Sequence, residues 1–238
     1  MSLEARSFQA FADHRLTADL LWRDVRIPRF SHPTPALFLD RDGVIIEEKE
    51  YLGDPDGVEL LAGISELIRA ARAEGMAVVE ITNQAGIARG HFGWSDFVQV
   101  QNRMEQFLAQ EGVKIDAAFA CPFHPEGQPP YRESDHPWRK PNAGMLLEAE
   151  RLLNLALNRS VLVGDKVADM QAGRAAGLAF GIHVLTGHGR QHEPASRAVA
   201  SVAFPVHVAT NAGGAATFIA SSQQHQQKAY DGGAQVDL

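Results

Sequence analysis

Short apolar runs alternate along the chain with stretches whose apolar residues recur at helical spacing. Ala36-Leu37-Phe38-Leu39 is a wholly apolar run that stops at Asp40, as a strand buried on both faces would. Residues 63–74 put Ile64, Leu67, Ile68 and Ala71 on one helical face and meet Gly75 as a stop signal. A second strand is predicted over 76–81, ending at Thr82-Asn83. A longer helix is predicted over about 95–110, with Phe97, Val100, Met104, Phe107 and Leu108 as its apolar residues. Residues 115–120 read as a third strand ending at Cys121. A helix over 143–157, a strand over 160–163 ending at Gly164-Asp165, a helix over 166–176 closed by Gly177, and a strand over 179–184 follow. A last helix is expected over 212–220, with Asn211 as its N-cap.

This alternation implies right-handed βαβ units and a mostly parallel sheet flanked by helices. In such α/β sheets ligands bind beyond the carboxyl ends of the strands. Four places are thereby selected: Asp40-Arg41-Asp42, Thr82-Asn83-Gln84, Cys121 with the loop after it, and Gly164-Asp165-Lys166. Each puts polar or reactive side chains directly after an apolar run, so one site along one sheet edge is expected. Outside the domain at 35–220, residues 1–34 read as an N-terminal extension. Its Leu16, Leu20, Leu21 and Trp22 fall on one helical face, which predicts a short docked helix before Pro28, Pro33 and Pro35 interrupt. Residues 221–238 are polar and low in complexity, which predicts a mobile tail.

Composition narrows the classes. A chain of 238 residues suits one domain with extensions, or at most two small ones. At 45% hydrophobic and 21% charged residues it is not wholly disordered. Lys and Arg number 22 against 29 Asp and Glu, a net charge of −7, which argues against general nucleic-acid binding. The single cysteine, Cys121, excludes an intrachain disulfide, a multi-cysteine zinc site and an iron–sulfur cluster built from this chain alone. No apolar run approaches the length of a membrane span, and the first residues carry acids rather than the apolar run of a secretory signal, so the cytoplasm is the expected location. The oligomeric state is not legible.

Two carboxylates two residues apart, Asp40 and Asp42, repel each other beside a buried strand. A divalent cation relieves that repulsion, and Asp165 after another strand could complete an oxygen-rich set suited to Mg²⁺. Lys140 and Thr82 add a cation and a hydroxyl fit to hold phosphoryl oxygens. An aspartate can attack phosphorus, while a neighbouring carboxyl protonates the leaving oxygen and later activates water.

The segments DRDGVI, TNQAGIARG, RKPNAGM and GDKVADMQAG, in that order, resemble the haloacid dehalogenase superfamily. Within it they resemble the branch that holds the heptose bisphosphate phosphatases and histidinol-phosphate phosphatases. The likeness covers about residues 35–190 and implies a Rossmann-like fold with a minimal cap. It implies that Asp40 is the nucleophile, that Asp42 is the general acid and base, and that Thr82 and Lys140 stabilise the phosphoryl group. Asp40, the main-chain carbonyl of Asp42, and Asp165 are the implied Mg²⁺ ligands, and Asn83 and Arg139 the implied substrate contacts. Asp169 is left open between a supporting and a purely structural role, and Arg89 between anchoring its loop and meeting substrate. Glu48-Lys49-Glu50-Tyr51 sits where this branch places a substrate loop. The implied activity is a Mg²⁺-dependent phosphomonoesterase working through an aspartyl phosphate on a small phosphorylated metabolite, a heptose bisphosphate first. Histidinol phosphate or another small alcohol phosphate is the alternative substrate, and a non-catalytic binding module on the same fold the alternative class.

One segment departs from that branch. The heptose bisphosphate phosphatases often carry a zinc loop with ligands in a C-x-H … C-x-C pattern. The corresponding stretch here is CPFHPEGQPPYRESDHPWRK, which keeps Cys121 but has Phe123, His136 and Trp138 at the other three positions and His124 one residue late. Phe and Trp bind no zinc. The loop is therefore expected to be held by packing of Phe123, Tyr131 and Trp138 rather than by structural zinc; the alternatives are a shifted set of Cys121, His124 and His136 with an outside acid, and aromatics that line the substrate pocket.

Overall fold

A computed structural model of the chain describes residues 13–220. Seven strands form one sheet: β1 (Trp22–Val25), β2 (Ala36–Leu39), β3 (Ala77–Asn83), β4 (Ala117–Cys121), β5 (Val161–Gly164), β6 (Phe180–Val184) and β7 (Val206–Ala209), in the order β1-β4-β3-β2-β5-β6-β7. All neighbours are parallel except β1, which lies antiparallel to β4. The helices are α1 (Ile64–Ala73), α2 (Ala85–Arg89), α3 (Trp94–Gln110), α4 (Gly144–Leu153), α5 (Val167–Ala175), α6 (Gly189–Arg197) and α7 over 212–220.

Helices cover both faces of the sheet, which is why its inner strands read as unbroken apolar runs. Along β2, Ala36 and Phe38 face one core with Val79, Ile81, Met145, Leu146 and Leu153. Leu37 and Leu39 face the other with Val78, Ile64, Leu67 and Ile68. The chain leaves β2 for β3 and β4 on one side and returns to β5 on the other. The sheet therefore reverses its winding between β2 and β5, the kind of place where α/β sheets bind ligands. Residues 40–63 and 122–143 follow β2 and β4 at this edge as loops, with one 3₁₀ turn at Pro55–Gly57.

The helix predicted around Leu16–Trp22 is not formed; the segment contributes an edge strand. Trp22 to Val25 pair with Ala120 to Ala117, and Leu16 bridges back to Trp22. Leu20 has a φ of 62°, which no right-handed helix accommodates. The outer edge of β4 needs a partner for its main chain, and the buried Trp22 ring meets Phe97 edge-on at 5.0 Å. The helix expected to run to 157 stops at Leu153, because Asn154 turns left-handed (φ 63°). The last helix forms as expected, with Asn211 accepting a hydrogen bond from Gly214 N at 2.9 Å. Helices α2 and α6 and strand β7 were not expected. The tail at 221–238 and the first twelve residues of the extension lie outside the described residues. Among the described residues no helix is long and apolar enough to cross a membrane.

Candidate active site

Asp40 follows the last residue of β2 and Asp165 the last of β5, so the switch in winding brings the two together. Asp169, one turn into α5, joins them. These three buried carboxylates offer oxygens within 4.8 Å of one another and form the one metal-capable group of acids, histidines and cysteine among the described residues. The backbone is fitted closely around Asp165. Gly43, at a φ of +83°, passes so near that a Cβ there would lie 2.5 Å from Asp165 Oδ2, a place only glycine can take.

Lys140 enters this group from the 122–143 loop. Its buried ammonium lies 2.8 Å from Asp40 Oδ1 and 2.8 Å from Asp169 Oδ1, and donates to the Ile81 carbonyl at 2.9 Å. Burial works against its charge, yet Asp169 and Asp40 overcome that and hold its pKa above the ordinary value. Asn83 fixes the main chain of Lys140 from both sides: its Nδ2 donates to the Lys140 carbonyl at 2.9 Å and its Oδ1 accepts from Lys140 N at 3.0 Å. Asp169 Oδ2 accepts from Lys166 N at 2.9 Å, so Asp169 also caps α5.

Asp165 is less well satisfied. Its Oδ2 accepts from His188 N at 2.8 Å, while its buried Oδ1 has no hydrogen-bond partner. Burial drives its pKa well up, Lys166 opposes this, and Asp40 and Asp169 add to it. A hard divalent cation fits such a set: an orphaned carboxylate oxygen beside two further carboxylates that repel it.

Asp42 stands apart from the acidic group and is half-buried. Its carboxylate accepts from Arg41 at 3.1–3.2 Å and from Gln84 Nε2 at 2.9 Å. Gln84 Nε2 also donates to Thr82 Oγ1 at 2.8 Å, which leaves the hydroxyl proton of Thr82 for another acceptor. Thr82, Gln84 and Asp42 thus form one string along the end of β3.

Arg139 donates to the Phe123 carbonyl at 3.0 Å. Burial and the nearby Arg89 guanidinium lower its pKa. Arg89 itself ties two loops: it reaches the Tyr51 hydroxyl and Glu126, each at 2.6 Å, and His124 Nε2 at 3.3 Å. At the opposite rim Glu48 meets Lys166 at 3.0 Å and His188 at 3.3 Å. Sequence reasoning did not assign Arg41, Gln84, Lys166 or His188. Arg41, Gln84 and Lys166 lie within the places selected at the strand ends, the signal that could have raised them.

The loop after β4 is packed with rings. Phe123 lies face to face on His136 at 4.1 Å, Phe123 meets Tyr131 at 5.9 Å, and Trp138 meets Phe119 at 5.8 Å. Cys121 Sγ lies 3.8 Å from His136 Nδ1, and burial pushes the thiol up to about 12.

A HAD-hydrolase-like family model matches residues 137–222. The chain is 48% identical over 169 residues, 71% of its own length and 78% of the relative's, to a D-glycero-beta-D-manno-heptose-1,7-bisphosphate 7-phosphatase of Mesorhizobium japonicum. It is 39% identical over 153 residues to a protein of the same name from Yersinia pestis, covering 64% of this chain and 81% of that one. Among solved structures, a HAD-like phosphatase from Mesorhizobium loti superposes with a TM-score of 0.77 at 40% identity, covering 88% of this chain and 97% of that one. The D,D-heptose 1,7-bisphosphate phosphatase of B. bronchiseptica, solved with magnesium and phosphate, superposes with a TM-score of 0.66 at 30% identity, covering 82% and 99%. The fold and the acidic edge define a phosphoric monoester hydrolase of the haloacid dehalogenase type. Within that class the chain belongs to the family of the D-glycero-D-manno-heptose-1,7-bisphosphate 7-phosphatases.

Proposed function

We propose that the chain removes one phosphate from a heptose bisphosphate by way of an aspartyl phosphate, with Mg²⁺ as its resident cation. The observation that carries this reading is the buried group of Asp40, Asp165 and Asp169 gripped by Lys140 at the switch in the sheet. A group of this kind is costly to fold unless a ligand completes it.

Asp40 attacks phosphorus; the bond to the sugar oxygen breaks, and that oxygen takes a proton from Asp42. Asp42, now a carboxylate, then takes a proton from water, whose oxygen attacks the aspartyl phosphate and releases inorganic phosphate with Asp40 restored. Lys140 and Thr82 hold the phosphoryl oxygens, Thr82 with the proton that Gln84 leaves it. Asp40, Asp165 and the main-chain carbonyl of Asp42 would hold Mg²⁺, which supplies positive charge against those oxygens. Asn83, through its second amide hydrogen, and Arg139 complete the proposed substrate contacts. Arg139 is cationic, and its pKa is lowered by burial and by Arg89; a second phosphate on the substrate would answer its charge. This favours a bisphosphate over histidinol phosphate.

Residues 35–220 carry the chemistry in this reading. Structural zinc is not part of it: Phe123 and Trp138 stand at two of the four positions of the C-x-H … C-x-C pattern and carry no ligating atom. A phosphorylated sugar crosses no bilayer unaided, so the reaction is assigned to the cytoplasm. The test is a panel of phosphorylated metabolites with Mg²⁺, scored as kcat/KM. The reading requires a heptose bisphosphate to lead; histidinol phosphate in first place would contradict the substrate, and no turnover of any ester the activity.

A further inference from the structure

Gln84 touches two residues of the proposed steps and takes no step itself. Neighbouring residues of an extended chain face opposite ways. At the end of β3, Asn83 turns to the main chain of Lys140, while Thr82 and Gln84, two apart, meet on the other side. Gln84 is buried and its backbone is fixed. Its N–H donates to the Cys121 carbonyl at 2.8 Å, and its carbonyl accepts from Ile87 N at 3.1 Å where α2 begins. From this base Nε2 donates one hydrogen to Asp42 Oδ2 at 2.9 Å and the other to Thr82 Oγ1 at 2.8 Å. A carboxylate has no hydrogen to give, so turning the amide over would set oxygen against oxygen. The orientation of the amide is thus fixed, and both of its hydrogens are spent.

We propose that Gln84 is a positioning residue for transfer of the phosphoryl group: one amide aims the Thr82 hydroxyl at the phosphoryl oxygens and decides which oxygen of Asp42 carries the proton to the leaving group. The inference rests on the reading of Thr82 as a phosphoryl holder and of Asp42 as the acid. A threonine hydroxyl is a rotor with one hydrogen. Because Oγ1 accepts from Gln84, that hydrogen points away from the amide, and the rotor is set before substrate arrives. At Asp42, Arg41 reaches Oδ1 through Nε at 3.2 Å and Nη2 at 3.1 Å, and Oδ2 through Nη2 at 3.1 Å. To act as an acid, Asp42 has to free one oxygen from Arg41 and hold a proton there. Gln84 keeps Oδ2 an acceptor, so Oδ1 takes the proton. A donor on Oδ2 also stabilises the carboxylate that remains once the proton has gone.

The test measures kcat/KM with Mg²⁺ on the full chain, using 4-nitrophenyl phosphate, whose leaving group needs no acid, and an alkyl phosphate, whose leaving group does. This parameter reports the steps up to release of the alcohol, so the later use of Asp42 as a base does not enter it. Gln84→Met keeps the length of the side chain and removes both hydrogens. It should lower kcat/KM for the nitrophenyl ester about three- to tenfold and for the alkyl ester at least about threefold more. In a Thr82→Val background the same change should move the nitrophenyl value by no more than about twofold, because the hydroxyl it aims is gone. Gln84→Asn, too short to reach both partners, should follow the same pattern and serves if Gln84→Met does not fold. If Thr82→Val alone keeps the wild-type nitrophenyl value, or Asp42→Asn alone keeps alkyl turnover, the underlying reading fails and takes the inference with it. If both of those variants are impaired, three outcomes overturn the inference alone: wild-type values in Gln84→Met, equal losses on the two esters, or a nitrophenyl loss undiminished in the Thr82→Val background.

Discussion

Two stretches of one sheet edge are held in place by different forces. After β2 and β5 the order comes from charge: Lys140 bridges Asp40 and Asp169 at 2.8 Å each, and Asp165 keeps an unpaired buried oxygen. Beyond β4 it comes from rings, with Phe123 stacked on His136 and the Trp94 indole donating to the Tyr131 hydroxyl at 3.0 Å. Crowded carboxylates raise the energy of the folded chain, whereas stacked rings lower it. The first arrangement therefore points to a ligand that completes it, and the second to a support for whatever stands nearby.

The largest expected effect follows from removing the cation on the charged side. Lys140→Met leaves Asp40 and Asp169 buried without their shared partner. That should cost about 3–5 kcal/mol of stability and at least about a thousandfold in kcat. Mg²⁺ should restore part of the stability but not the rate. Thermal unfolding with and without Mg²⁺, beside steady-state kinetics, checks both; a variant with the wild-type Tm and rate would dissolve the contrast between the two stretches.

On the aromatic side the effects should separate the other way. Phe123→Ala should lose about 3 kcal/mol through the cavity it leaves, yet hold kcat/KM for 4-nitrophenyl phosphate within about fivefold. An unchanged Tm, or stoichiometric zinc by elemental analysis of the purified protein, would show that rings are not what holds this loop. Arg139→Gln lies where the two stretches meet. It should raise KM for the heptose bisphosphate about ten- to a hundredfold and leave the nitrophenyl ester unaffected; equal losses on both would make Arg139 a support rather than a contact.

The smallest effect concerns Glu80. Its folded pKa of about 7 lies above its ordinary 4.5. Between those values the folded state keeps a proton that the unfolded chain gives up. Wild-type stability should therefore fall as pH rises through that window and level off above it. Glu80→Gln lacks this loss, so the Tm of the variant minus that of wild type should grow by a few degrees between pH 5 and 8. A difference that stays constant with pH would show that Glu80 does not titrate in this range.

Legibility followed burial. Strands β2, β3 and β5 could be read because both faces are covered, so their positions are apolar apart from Glu80 in β3, and their ends could be read because Asp40, Thr82 and Asp165 break those runs. Strand β1 escaped because an edge strand needs few apolar residues: Trp22 is buried, but Arg23 and Val25 are exposed. Helix α6 escaped behind a polar sequence with Pro194 inside it. In the site, residue types next to strand ends were visible. Pairings set by tertiary approach were not: Asn83 closing on the Lys140 main chain, and Lys140 bridging Asp40 and Asp169. None of these partners is near in sequence.

The central claim is that Asp40 forms a bond to phosphorus in a Mg²⁺-dependent site. The direct measurement is the rate of phosphate release from D-glycero-D-manno-heptose 1,7-bisphosphate by wild type and Asp40→Asn, each with Mg²⁺ and with EDTA. The account predicts release by wild type that EDTA stops and Mg²⁺ restores, and a loss of at least about ten-thousandfold in the variant, with its fold intact. An Asp40→Asn protein that keeps a tenth of the wild-type rate, or a wild-type rate indifferent to EDTA, would contradict it.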